Sequence, residues 1–244
     1  MAAFGYRFVD LLQFFTPIAG PLAKRTPQDV RAALDANGLY CTNCHFSLAS
    51  LTTGLAEAMK TAHLLELKSV VTFPSPRKQT IEDWKWMAGQ LNTIGENTRR
   101  EGLFVGYHNH EIEFRQIDGQ IPFDILMTYT DPMLVRFQID VGNMAYAGHD
   151  AVTYLKKYSD RYFSLHAKDF APGKESVPVG QGILDWNRIF ALAQAAGIDN
   201  FVAEVSAYTA NAQDSDLSLE PSPLEVLESF RQSYLFLQKL MASI

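Results

Sequence analysis

The feature that most constrains this chain is a regular alternation of short apolar runs with longer helical stretches that carry their own start signals. Runs dense in Val, Ile, Phe and Leu occur at Tyr6 to Phe14, Leu39 to His45, Ser69 to Phe73, Leu103 to His110, Leu134 to Asp140, Tyr162 to Lys168 and Asn200 to Val205. Their length and β-branched or aromatic content are those of strands. Helix starts fall between them: Thr26-Pro27 with Asp29, Thr80 with Asp83, then Asp150, Asp185 and Ser222-Pro223. Each places an oxygen acceptor where the first turn of a helix has unpaired N–H groups, and two add a proline whose fixed φ suits that turn. Gly38 and Gly102 supply stops, and Leu55 to Leu67 has helical spacing.

Strand and helix alternate with no composition break, which predicts a parallel sheet with helical crossovers in one domain over residues 1–244. The expected architecture is α/β, a TIM (β/α)8-type barrel. Seven runs are legible where such a barrel has eight strands. Either one strand is too weakly patterned to read or the fold's first strand is lacking. A doubly wound open sheet competes, but no Gly-rich phosphate fingerprint follows any run.

With 244 residues, 47% of them apolar, the chain can bury one large core. The net charge of −6, from 27 acidic against 21 basic residues, leaves no Lys/Arg block able to track a phosphate backbone, so nucleic acid is not an expected partner. Met1 to Gly20 carries Asp10 within its apolar stretch and has no basic leader, unlike a signal peptide. No stretch reaches the roughly 18 apolar residues of a membrane span. Cys41 and Cys44, followed by His45, lack the second ligand pair of a structural zinc site. Two free thiols suit a reducing compartment, so a cytoplasmic protein is expected. Nothing in the sequence excludes a homodimer.

Side chains alternate across a strand, so each run sorts into two faces by parity. Leu103, Val105 and Tyr107 oppose Phe104, Gly106, His108 and His110; Val135, Phe137 and Ile139 oppose Arg136, Gln138 and Asp140; Phe163, Leu165 and Ala167 oppose Tyr162, Ser164, His166 and Lys168. In the last run Glu204 shares a face with Val202. One face of each run is apolar, and the other brings His, Asp, His, Lys and Glu towards the C-terminal strand ends, where barrels of this class build active sites. Gathering such groups costs several kcal/mol per unpaired charge unless a cation, hydrogen bonds or water compensate. A divalent metal does so most simply. Carboxylate and imidazole donors suit Mn²⁺, Mg²⁺, Co²⁺ or Zn²⁺, and Mn²⁺ is the first expectation.

Five stretches together resemble the sugar phosphate isomerase/epimerase family with the xylose-isomerase-like barrel. They are Tyr107-His108-Asn109-His110-Glu111-Ile112-Glu113-Phe114, Ile139-Asp140-Val141-Gly142-Asn143, Leu165-His166-Ala167-Lys168-Asp169, Val179-Gly180-Gln181-Gly182-Ile183-Leu184-Asp185-Trp186 and Val202-Ala203-Glu204-Val205. The resemblance implies one divalent ion held by Asp140, His166 and Glu204. Where relatives have a first Glu ligand this chain has His108, so His108 or His110 is implied as the fourth.

The resemblance also implies isomerisation or epimerisation of a sugar, ketose or related polyol by proton removal next to a carbonyl, with Glu204, His108 and Lys168 as catalytic candidates. His45, His110, Lys168 and Glu113 are candidate substrate contacts. The bland alternatives are a local carbonyl partner for His45, a salt bridge for Lys168 and a solvated surface for Glu113. Epimerases of this superfamily commonly use two carboxylate bases, and only one is clear here. That favours a second reading, a metal-dependent lyase acting on an oxidised sugar. A sugar-binding barrel without turnover is a third. An abasic-site endonuclease on the same barrel would need a basic face and another His where Asn143 stands. The acidic balance and missing phosphate cradle point to an unphosphorylated substrate. Phe73, Trp186, Phe190 and Phe201 are candidates for an apolar wall, though such residues are more often core. Ala171 to Gly182 and Ser206 to Ser222 are candidate lids.

Overall fold

The structure is a computed structural model that describes residues 1–12, 25–74, 80–173, 175–205 and 222–243. Every apolar run read from the sequence contains a strand. These are β1 (Phe8–Leu12), β2 (Tyr40–His45), β3 (Ser69–Thr72), β4 (Phe104–His108), β5 (Val135–Asp140), β6 (Tyr162–Ala167) and, in last place, Phe201–Ala203. A two-residue antiparallel pair, β7 (Asp169–Phe170) with β8 (Ser176–Val177), intervenes, so the last strand is β9. The capped helices are α1 (Pro27–Asn37), α4 (Ile81–Arg100), α7 (Ala151–Lys157), α8 (Trp186–Ala195) and α9 (Pro223–Ala242), and α3 (Leu55–Leu64) fills the stretch from Leu55. Thr26, Thr80 and Ser222 each form a reciprocal capping box with Asp29, Asp83 and Glu225.

Three helices were not legible in the sequence: α2 (Leu48–Thr52), α5 (Pro122–Tyr129) and α6 (Val141–Tyr146). Two are too short for a periodic pattern, and α5 starts after Ile121, which has no capping side chain. No described helix is long and apolar enough to cross a membrane.

The chain divides into two compact units. The first comprises Arg7–Gln138 with Ala2; the second comprises Ile139–Ile244 with Met1 and Ala3–Tyr6. In the first unit β1 to β5 pair in parallel, each with the next in the chain, in a register that sets Val71 beside Gly106, Tyr107 beside Phe137 and His108 beside Gln138. A doubly wound sheet reverses its order part-way, and this one does not. Val70, Val105, Tyr107, Val135 and Phe137 are fully buried, as are Leu91 of α4 and Phe123 and Leu126 of α5.

In the second unit the end of β5 is followed in the sheet by β6 and then β9, whose register sets His166 beside Val202. Ile139, Leu165 and Ala167 are buried, and Trp186, Ile189, Phe190 and Ala193 supply the buried face of α8. The apolar parity face is thus core in both units. The parallel strands number seven, in chain order, among the described residues.

Candidate metal centre and substrate contacts

In the second unit the site is built from the ends of three strands. Asp140 closes β5 and is at the same time the N-cap of α6, its Oδ1 accepting a hydrogen bond of 2.7 Å from the Asn143 N–H. Helix geometry therefore orients this carboxylate. His166 is the fifth residue of β6, and its Nδ1 lies 2.8 Å from Glu204 Oε2. Glu204 follows β9 directly, and its backbone N–H donates to the Ala167 carbonyl at 2.9 Å, which carries the ladder one residue further. Lys168 Nζ donates to Glu204 Oε1 at 2.8 Å and to Asn143 Oδ1 at 3.1 Å. The two oxygens of Glu204 are thus divided, one towards an imidazole and one towards an ammonium.

Asp140, His166 and Glu204 offer ligand atoms within 4.8 Å of one another. Burial first, and the neighbouring Glu204 carboxylate second, push the Asp140 pKa up to about 7, against the pull of Lys168 and His166. A further cation would relieve that repulsion. Two donors bound about 2.1 Å from one ion stand roughly 3 Å apart, close to the 2.8 Å between His166 and Glu204. Two carboxylates and an imidazole, with no thiolate among them, fit a divalent ion of the hard to borderline class.

Beside this cluster Asp169 turns the other way and ties down a loop. Its fully buried carboxylate accepts from Trp186 Nε1 at 2.7 Å and from the backbone N–H groups of Phe170, Gly180, Gly182 and Leu184. Ser233 on α9 accepts from the Val179 N–H at 3.0 Å. The later half of the Ala171 to Gly182 segment is therefore fastened at both sides, which argues against its swinging as a lid. The other lid candidate, Ser206 to Ser222, lies outside the described residues except for Ser222.

The first unit holds the remaining candidates. His45, at the end of β2, has Nε2 2.9 Å from Gln138 Oε1 and 3.2 Å from Asp10 Oδ2. His108, at the end of β4, has Nδ1 3.1 Å from the same Gln138 oxygen, and Gln138 Nε2 donates to Asp10 Oδ2 at 2.8 Å. The His108 ring lies 4.9 Å from that of His45 and 5.1 Å from that of His110, and Phe73 stacks on His45 at 6.3 Å and meets His110 edge-on at 6.1 Å. Three of the sequence candidates thus gather with one of the wall aromatics. The others pack elsewhere: Phe190 and Phe201 contact each other at 4.5 Å, and Trp186 serves Asp169.

Glu113 is completely buried, accepting from the Tyr107 hydroxyl at 2.7 Å and from the His110 N–H at 3.1 Å. Burial pushes its pKa up to about 8. It is not a solvated surface group, whereas Arg115 and His63 lie exposed beside Glu111 and Glu101. Cys41 and Cys44 are buried free thiols, and burial pushes the Cys41 pKa up to about 12.

Three polar residues of these clusters were not singled out from sequence as site residues: Gln138, Asp10 and Asn143. Gln138 carried a signal, since it shares the parity face of Asp140. Asp10 was read only as an interruption of an apolar run.

A family model described as "Xylose isomerase-like TIM barrel" matches residues 1–231. An inosose dehydratase from Lacticaseibacillus casei is 29% identical over 142 residues, which are 50% of this chain and 47% of that protein. The match therefore spans about half the length of that relative. A sugar phosphate isomerase/epimerase from Parabacteroides distasonis ATCC 8503 superposes with a TM-score of 0.81 at 22% identity, over 97% of this chain and 85% of that one. The IOLI protein, in a structure with a bound zinc atom, superposes with a TM-score of 0.71 at 15% identity, over 99% and 90%. Both likenesses show the fold, and it is the barrel class expected from the alternation of strands and helices.

Proposed function

Since the chain belongs to the xylose isomerase-like TIM barrel family, we propose that it is a divalent-metal-dependent enzyme that removes a proton next to the carbonyl of a keto-sugar or keto-polyol, with loss of a β-hydroxyl as water the favoured outcome. The observation that carries this reading is the division of Glu204 between His166 and Lys168, beside Asp140. Asp140, His166 and Glu204 would hold the ion. His108 is the fourth ligand that the resemblance implies. A bound divalent ion polarises a carbonyl and stabilises enediolate negative charge.

The chain's own residues supply the rest. Glu204 would take the carbon-bound proton. Lys168 Nζ, held between Glu204 and Asn143, would give a proton to the departing hydroxyl. The C–H and C–O bonds break, a C=C bond forms, and water leaves. Elimination needs one base and one acid, which this pair provides. The half-length match to an inosose dehydratase supports the same outcome and suggests an inosose as the first substrate to try. Mn²⁺ is the first ion to try, with Mg²⁺, Co²⁺ and Zn²⁺ as alternatives.

The second reading, isomerisation or epimerisation, uses the same proton removal but returns the proton to carbon, and it is what the motif resemblance implies. A test begins with metal content after purification without chelators or nickel columns, for the wild type and an Asp140→Ala/His166→Ala double variant. The expected result is near-stoichiometric metal in the wild type and none in the variant. Incubation with an inosose and with ketoses in D₂O then separates the outcomes. A dehydrated product supports elimination, whereas deuterium in an isomer of the substrate replaces it by the second reading. No metal in either protein, even with added Mn²⁺, would sink both.

A further inference from the structure

Within the first unit the amide of Gln138 settles a matter of proton placement. A carboxylate only accepts, so the Gln138 group 2.8 Å from Asp10 Oδ2 is the NH₂, and its carbonyl oxygen faces the two imidazoles. That oxygen lies 2.9 Å from His45 Nε2 and 3.1 Å from His108 Nδ1, and it too only accepts. Both rings must therefore donate to it. For His45 this puts the proton on Nε2, shared between Gln138 Oε1 and Asp10 Oδ2. For His108 it puts the proton on Nδ1, the tautomer that a free histidine side chain adopts less.

We infer that Gln138 is a positioning residue, polarised by Asp10, that holds His108 in the Nδ1–H tautomer and so makes Nε2 its electron-pair donor for a metal ion. The ligand half of this inference rests on the proposed function; the tautomer half does not. The physical reason is the one that operates wherever a ligating imidazole has its second nitrogen engaged: the partner of one nitrogen decides what the other can do. Here the partner is a neutral amide, and its orientation is set by a carboxylate one bond further out. Asp10 and Gln138 are 128 positions apart in the chain. The register of β4 on β5, which sets His108 beside Gln138, and the end of β2 bring the group together.

The test is a long-range ¹H–¹⁵N correlation spectrum of the metal-free full chain, at a pH where both rings are neutral. His108 is assigned by its loss in His108→Gln. The wild type should show His108 mainly protonated on Nδ1 with Nε2 unprotonated, a shift of about tenfold from the free-histidine ratio, the worth of one net hydrogen bond. Gln138→Leu should return His108 towards the free-histidine ratio. His108 mostly protonated on Nε2 in the wild type would overturn the inference, whether or not any variant folds. So would a Gln138→Leu spectrum unchanged from the wild type. Metal retention by Gln138→Leu should fall about 10- to 100-fold, and unchanged retention alongside a lost tautomer would overturn the ligand half. A wild type with the stated tautomer that binds no Mn²⁺ or Zn²⁺ would refute the proposed function and the ligand half while leaving the proton assignment standing.

Discussion

Lys168 Nζ lies 2.8 Å from Glu204 Oε1, a contact between residues 36 positions apart that joins the ends of neighbouring strands. The ammonium is nearly buried, and Gly142 lets its backbone approach α6: a Cβ on Gly142 would stand 2.6 Å from the Lys168 carbonyl oxygen. A charged side chain held this way is oriented before any ligand arrives, and pre-orientation is what a proton donor needs.

Replacing Lys168 by Met keeps the stem and removes the charge. We expect kcat to fall by about 100-fold or more, with metal content unchanged, because the three proposed ligands remain. Paired measurement of kcat, KM and bound metal checks this. Loss of metal together with activity would mean that Lys168 organises the ligands rather than acting on substrate.

Gly182 is required where it stands. A Cβ there would lie 2.4 Å from the Phe170 carbonyl oxygen and closer still to the Asp169 carboxylate. Gly182→Ala should destabilise the protein by about 1–3 kcal/mol. Gly89, on the exposed face of α4 with nothing within 4 Å of an added Cβ, is the control. Gly89→Ala should stabilise by roughly 0.5–1 kcal/mol. Urea midpoints of the two variants should move in opposite directions.

Asp169→Asn replaces one acceptor oxygen by a donor in a carboxylate that receives five N–H groups. Whichever way the amide turns, at least one buried N–H loses its partner, at a cost of about 1–3 kcal/mol. Hydrogen exchange should accelerate at Gly180 and Gly182 more than at strand β6. Uniform acceleration across the chain would show that Asp169 supports the whole fold rather than this loop.

Glu113 provides a pH signature of its own. Burial raises its folded pKa from the ordinary 4.5 to about 8. The folded protein therefore keeps a proton that the unfolded chain releases across that interval. The protonated carboxyl favours folding fully below about 4.5, and this advantage is lost as pH climbs towards 8, at up to about 1.4 kcal/mol per unit. Above 8 the effect is constant. Glu113→Gln cannot titrate, so the stability difference between wild type and variant should change across pH 5 to 8 in that direction. A difference independent of pH would mean that Glu113 stays ionised in the fold.

Much of the molecule was determined by local sequence. The alternation of runs and caps located all seven parallel strands and six of the nine described α-helices, because capping and periodicity depend on residues a few positions apart. Parity put His108, Asp140, His166 and Lys168 on the polar face of their strands, since the period of a strand is two whatever surrounds it. What only the tertiary structure decided is which of these polar groups meet, and in what state. Asp140 caps a helix the sequence did not announce, Glu113 lies buried under Tyr107 rather than on the surface, and Asp10 and Gln138, never read as site residues, govern two histidines. Register between strands and the burial of each group fix those partnerships, and both arise from contacts between residues that are distant in the chain.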